Sequence, residues 1–145
     1  MKALIAYASL SGNTEEVAEL IGEEVSKQGF NANMFYIEPF GVEPPNISDY
    51  NIIFLGTYTW DLGATPDEVK DFVADVGYKP DNIYVFGTGD TQFGGEDLFC
   101  DAARKLSKFY RSKRDPLKIE QSPRGSQEEK VRKWVKEVIV NENKV

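Results

Sequence analysis

Ser9-Leu10-Ser11-Gly12-Asn13-Thr14 decides how the rest of this sequence is read. Before it runs Ala3-Leu4-Ile5-Ala6-Tyr7, apolar throughout, the pattern of a buried strand. After it come Val17, Leu20, Ile21 and Val25, spaced as one face of a helix. A turn rich in hydroxyls and backbone N–H groups therefore sits at a helix start. The first N–H groups of a helix lack internal partners and its dipole favours negative charge there, so the stretch suits a phosphate. Helix capping selects the same residue types, and on this stretch alone the two readings stand level.

Outward from that turn, strands and helices alternate. The first helix spans Asn13 to about Gln28 and stops at Gly29. Asn33 to Ile37 reads as a short second strand, followed by a proline-rich irregular stretch from Glu38 to Pro45. Asn51 to Gly56 is an unbroken apolar run, as expected of a central strand covered on both faces. Thr65-Pro66-Asp67-Glu68 opens a second helix, with threonine as cap, proline at its first position and Val69, Phe72, Val73 and Val76 as its buried stripe. Asn82 to Gly87 is the fourth strand. Leu98, Phe99, Ala102, Leu106 and Phe109 mark a further helix, with Cys100 on its apolar side. Pro116 to Glu120 is a weak last strand at an edge, and Gln127 to about Val140 a last helix burying Val131, Trp134, Val135, Val138 and Ile139. Each connection is long enough for a crossover, so the sheet is expected to be parallel with helices on both faces, in one domain spanning residues 1–145.

Composition narrows the function. The net charge of -7 argues against nucleic acid and anionic membrane and suits a basic partner. The absence of histidine excludes histidine-based triads, and one cysteine builds neither a zinc site nor a disulfide framework. No metal site and no catalytic residue is expected. The first strand follows Met1-Lys2 directly, which is expected to leave no room for a signal peptide, no apolar run approaches the ~20 residues of a membrane span, and the lone Cys100 makes a reducing cytoplasm the expected location.

In an open parallel sheet, ligands bind beyond the carboxyl ends of the strands. Three loops meet there: Ser9 to Thr14, Thr57 to Ala64 and Thr88 to Gly95. The first offers phosphate binding, and Trp60 and Phe93 in the other two offer a clamp for a flat ring. A phosphate plus a flat ring describes a nucleotide-like cofactor, and flavin mononucleotide (FMN) fits. Trp134, within the last helix's stripe, is assigned to packing.

These motifs resemble the flavodoxins over essentially the whole chain. Ser9 to Thr14 is similar to their phosphate loop, Gly56-Thr57-Tyr58-Thr59-Trp60 to the loop whose tryptophan flanks the flavin, and Gly87-Thr88-Gly89-Asp90 with Phe99-Cys100-Asp101-Ala102 to the third flavin loop and its helix. The resemblance implies a three-layer α/β/α sandwich with five parallel strands in the order 2-1-3-4-5, of the short-chain type. It implies a low-potential one-electron carrier, not an enzyme, that binds FMN non-covalently. The implied cofactor residues are Ser9, Leu10, Ser11, Gly12, Asn13 and Thr14 in the first loop, Thr57, Tyr58, Thr59, Trp60, Asp61, Leu62 and Gly63 in the second, and Thr88, Gly89, Asp90 and Phe93 in the third. The implied partners are basic redox proteins such as a ferredoxin/flavodoxin-NADP reductase and acceptor enzymes, met by a monomer.

Two positions depart from the family pattern. Phe93 stands for the usual second stacking tyrosine. Asp61 follows Trp60 where many members have a glycine, whose carbonyl turns toward the flavin on one-electron reduction. A side chain there makes positive φ costlier by roughly 1 kcal/mol, so the first one-electron step is expected to be less favourable. The competing readings are an FMN-dependent quinone or azo reductase of the same fold, a ribonucleotide reductase activator and a phosphotransfer receiver. No acid–base pair supports the first, Trp60 speaks against the second, and Ser9 and Thr57 stand where the third needs acids.

Overall fold

A computed structural model describes residues 1–10, 12–39, 43–59, 65–89, 100–120 and 123–142. Five strands form one parallel sheet: β1 (Lys2–Tyr7), β2 (Asn31–Tyr36), β3 (Ile52–Tyr58), β4 (Ile83–Gly89) and β5 (Leu117–Glu120), in the order β2-β1-β3-β4-β5. Four α-helices are described: α1 (Asn13–Lys27), α2 (Asp67–Val76), α3 (Asp101–Tyr110) and α4 (Ser126–Glu142).

Alternate residues of a strand face opposite sides, and both sides here are covered. Ile5, Tyr7, Phe54, Tyr84 and Phe86 pack on one side against Val17, Ile21 and Val25 of α1 and Val131, Trp134 and Val138 of α4. Leu4, Ala6, Ile53, Leu55 and Val85 pack on the other against Val69 and Phe72 of α2 and Leu106 and Tyr110 of α3. The layers and strand order are those expected. Trp134 is a packing residue: its ring lies 5.8 Å from that of Phe54, and Nε1 donates to the Asp115 carbonyl at 3.1 Å.

The differences from expectation are local. β3 and β4 each run two residues further, to Tyr58 and Gly89. The hydroxyls of Thr57 and Thr88 find partners inside, so polar side chains do not end the strands. Pro66, not Thr65, caps α2, and Val73 and Val76 are half-buried. Phe109 is 43% exposed and carries the Lys79 ammonium over its ring, while Tyr110 takes the core position. Cys100 holds the N-cap of α3 at φ 54, fully buried, and burial pushes its thiol up to about 12. Leu98 and Phe99 lie outside the described residues.

The β5 edge is closed by side chains of α4. Gln127 accepts from the Glu120 N–H at 2.8 Å and donates to its carbonyl at 3.0 Å. One turn on, Lys130 donates to the Lys118 carbonyl at 3.0 Å. A free strand edge is a pairing hazard, and these contacts occupy its backbone groups.

Candidate functional site

The start of α1 and the carboxyl ends of β3 and β4 are joined by a small polar lattice. Thr14, in the first turn of α1, and Thr88, near the end of β4, are both buried, and their hydroxyls lie 2.7 Å apart. The Thr59 N–H, just past β3, donates to the Thr88 carbonyl at 3.2 Å. Its hydroxyl accepts from the Ala102 N–H at 3.4 Å, in the first turn of α3. Seventy-four residues separate Thr14 from Thr88, yet the fold sets them in contact. The three stretches singled out in the sequence therefore do begin or end at one place.

The start of α1 is open. Gly12 holds φ +93, with nothing within 4 Å of where a Cβ would stand. Ser9 Oγ folds over the turn and accepts from the N–H of Gly12 at 3.1 Å and of Glu15 at 3.4 Å. The Glu16 N–H is taken by the Gly12 carbonyl. Among the described residues, nothing accepts from the N–H groups of Asn13 and Thr14. Two unclaimed donors at the positive end of a 15-residue helix, beside an approach cleared by glycine, fit a phosphate ester.

The remaining expected residues divide. Thr57 is fully buried and its hydroxyl donates to the Tyr58 carbonyl at 2.8 Å. Leu10 is 63% exposed, and Asn13 and Gly89 are half-buried. Ser11, Trp60, Asp61, Leu62, Gly63, Asp90 and Phe93 lie outside the described residues, and so do the loop acids Glu96 and Asp97. The sequence reading missed what Tyr58 does. Its hydroxyl donates to Glu68 Oε2 at 2.9 Å and ties the end of β3 to the first turn of α2. Burial, with Glu68 beside it, pushes the phenol well above its usual range. The ten-residue spacing of a tyrosine and a helix-opening glutamate was the available signal.

Among the described residues no group of three acids or cysteines could hold a metal, and no helix is long and apolar enough to cross a membrane.

The arrangement is that of a doubly wound α/β protein with an open helix start at the carboxyl edge of its sheet. The flavodoxin family model matches residues 5–134, and the chain belongs to that family. A relative from Bacillus subtilis, probable flavodoxin 2, is 34% identical over 139 residues, covering 90% of this chain and 89% of that protein. Probable flavodoxin 1 of the same organism is 32% identical over 130 residues, covering 84% and 79%. Oxidised Flavodoxin 2 from Bacillus cereus has a solved structure that superposes with a TM-score of 0.83 at 31% identity, covering 97% of this chain and 99% of that one. As a member of this family the chain is a flavin-dependent electron carrier and not an enzyme; the reductase alternative is not favoured.

Proposed function

We propose that the flavin is FMN, bound non-covalently with its phosphate at the start of α1, and that the chain works as a single-domain monomeric carrier in the cytoplasm. The observation that carries this reading is the pair of unclaimed N–H groups of Asn13 and Thr14 beside Gly12. Ser9, Leu10, Ser11, Gly12, Asn13 and Thr14 form the cradle. Neutral donors and the helix dipole carry the binding, since no lysine or arginine lies in that stretch. Thr57, Tyr58, Thr59 and Thr88 support the two loops that would flank the ring. Trp60, Asp61, Leu62, Gly63, Gly89, Asp90 and Phe93 are assigned to the ring by resemblance. Bound there, the flavin supplies one-electron chemistry, and the protein holds it, shields it and presents its edge.

Asp61, Asp67, Glu68, Asp90, Glu96 and Asp97 lie in or beside these loops. Their charge disfavours added electrons on the cofactor and steers basic redox partners, of which a ferredoxin/flavodoxin-NADP reductase is the representative. The test is the visible spectrum of the purified protein, incubated with FMN and then reduced stepwise with dithionite. A yellow protein that takes up electrons in two separated steps supports the reading. A colourless protein that takes up no FMN overturns it.

A further inference from the structure

At the opposite edge of the sheet from β5, the face of β2 that looks onto α1 is left open. Ala32, Met34 and Tyr36 occupy every second position of β2 and so share one face. Ala32 packs against the α1-side core, and the Tyr36 ring lies 5.6 Å from that of Tyr7 in the same core. Along α1, Glu15, Glu19 and Glu23 stand one helical turn apart. The acidic ridge and the apolar row are matched in length, each about 12–13 Å. Between them lies a groove of about 470 Å³, lined by Gly22, Ala32 and Met34 and walled by Glu19 and Glu23, with Lys27 at its far end. A Cβ at position 22 would meet Met34 Sδ at 3.2 Å, so glycine lets Met34 lie against the helix. Met34 and Tyr36 remain 43% and 41% exposed. The Tyr36 hydroxyl reaches the Ser9 carbonyl at 3.5 Å, which carries the strip on to exposed Leu10.

Charge says what covers it. Glutamates one turn apart repel each other, and their relief here is slight: Tyr7 donates to Glu15 at 3.5 Å and Arg132 stands 3.8 Å from Glu23. The dipole of α1 favours Glu15 in its first turn, but folding gains little from Glu19 and Glu23 beyond it, whereas a cationic surface laid along the ridge gains from all three. Residues 1–99 hold 17 of the 24 acids and only 4 of the 17 Lys and Arg, and the basic side chains that α4 brings to α1 are Arg132 toward Glu23 and Lys136 toward Glu24. We infer that the α1/β2 groove docks a basic amphipathic helix of a partner protein, with the partner's apolar row on Met34 and Tyr36 and its Lys or Arg row along Glu15, Glu19 and Glu23. An amphipathic helix supplies both rows at the required turn spacing. The inference rests on β2 and α1 and stands apart from the flavin reading.

The test titrates the ¹⁵N-labelled 145-residue chain with a synthetic helical peptide carrying lysines one turn apart beside a row of leucines. The expected result is shifts confined to the amides of residues 15–27 and 32–36. Met34→Gln, the Glu19→Gln/Glu23→Gln pair, and an alanine-for-leucine peptide should each weaken binding about fivefold or more. Absence of binding, shifts centred elsewhere, or an affinity left unchanged by Met34→Gln and by the alanine peptide overturns the proposal; the last marks attraction by net charge alone. Sedimentation of the unmixed chain covers the remaining occupant. Self-association abolished by the Glu19→Gln/Glu23→Gln pair would give the groove to a second copy and overturn the proposal too.

Discussion

The β5 edge and the start of α1 pose the same problem and solve it in opposite ways. At both places the fold leaves backbone groups without secondary-structure partners. At β5 the protein answers them itself, with Gln127 on Glu120, Lys130 on Lys118 and, just before the strand, Trp134 on Asp115. At α1, Ser9 answers Gly12 and Glu15, while the donors of Asn13 and Thr14 stay unclaimed among the described residues. Water or a ligand can answer the donors of an open helix start, and the proposed cofactor role assigns them to the ligand. The two places should separate accordingly: stability at β5, cofactor affinity through backbone N–H groups at α1.

The largest effect is expected from Trp134→Ala. It removes a buried ring packed on Phe54 together with its bond to Asp115, and should cost about 3–5 kcal/mol of stability in urea unfolding. FMN affinity of the folded fraction should be unchanged; a matching loss of affinity would break the comparison. Thr14→Val is the side-chain control at α1. It leaves the buried Thr88 hydroxyl short of a partner, at a cost of about 1–3 kcal/mol, but keeps the Thr14 N–H, so FMN affinity by fluorescence titration should change by less than about threefold. Gln127→Ala exposes both backbone groups of Glu120 and should cost about 1–2 kcal/mol with no change in affinity.

A smaller effect concerns alkaline pH. Burial, with Glu142 nearby, pushes the Tyr84 phenol up to about 12, burial alone does the same for Tyr110, and the Cys100 thiol rises to about 12. In the unfolded chain the phenols ionise near 10.0 and the thiol near 9.0, so the unfolded state sheds these protons first. Their contribution is complete below about pH 9 and is lost as pH rises toward 12. The urea midpoint should fall over that range, and flat behaviour would contradict the assignment. The smallest effect belongs to Tyr84→Phe. Among the described residues the buried hydroxyl, near Asn141 and Glu142, has no hydrogen-bond partner, so its removal should leave stability within about 0.5 kcal/mol or raise it.

The contrast between the two places also explains what the sequence made legible. The fold was readable because the central strands are uninterrupted apolar runs and the helices carry clear stripes. Strand ends were read short at Thr57 and Thr88, because a threonine at the end of an apolar run looks like a loop until its hydroxyl's partner is known. Thr88's partner is Thr14, 74 residues away, and no local pattern encodes it. Phe109 is among the apolar residues that mark this helix in the sequence, yet Tyr110 is the one in the core. The helix is entered through Cys100 in a left-handed conformation, and its buried face is set by that entry. The cradle proposed at Ser9 to Thr14 can be read from the sequence because its chemistry is local. The closure of β5 was not, because Gln127 and Lys130 look like ordinary exposed helix residues.

The most direct test of the open start of α1 compares FMN with riboflavin, which differs by the phosphate alone. Apoprotein titrated with each, at one ionic strength, should bind FMN about a hundredfold more tightly, roughly 2.7 kcal/mol. The difference should appear with shifts at the Asn13 and Thr14 amides. Equal affinities, with those two amides unmoved, would contradict the account.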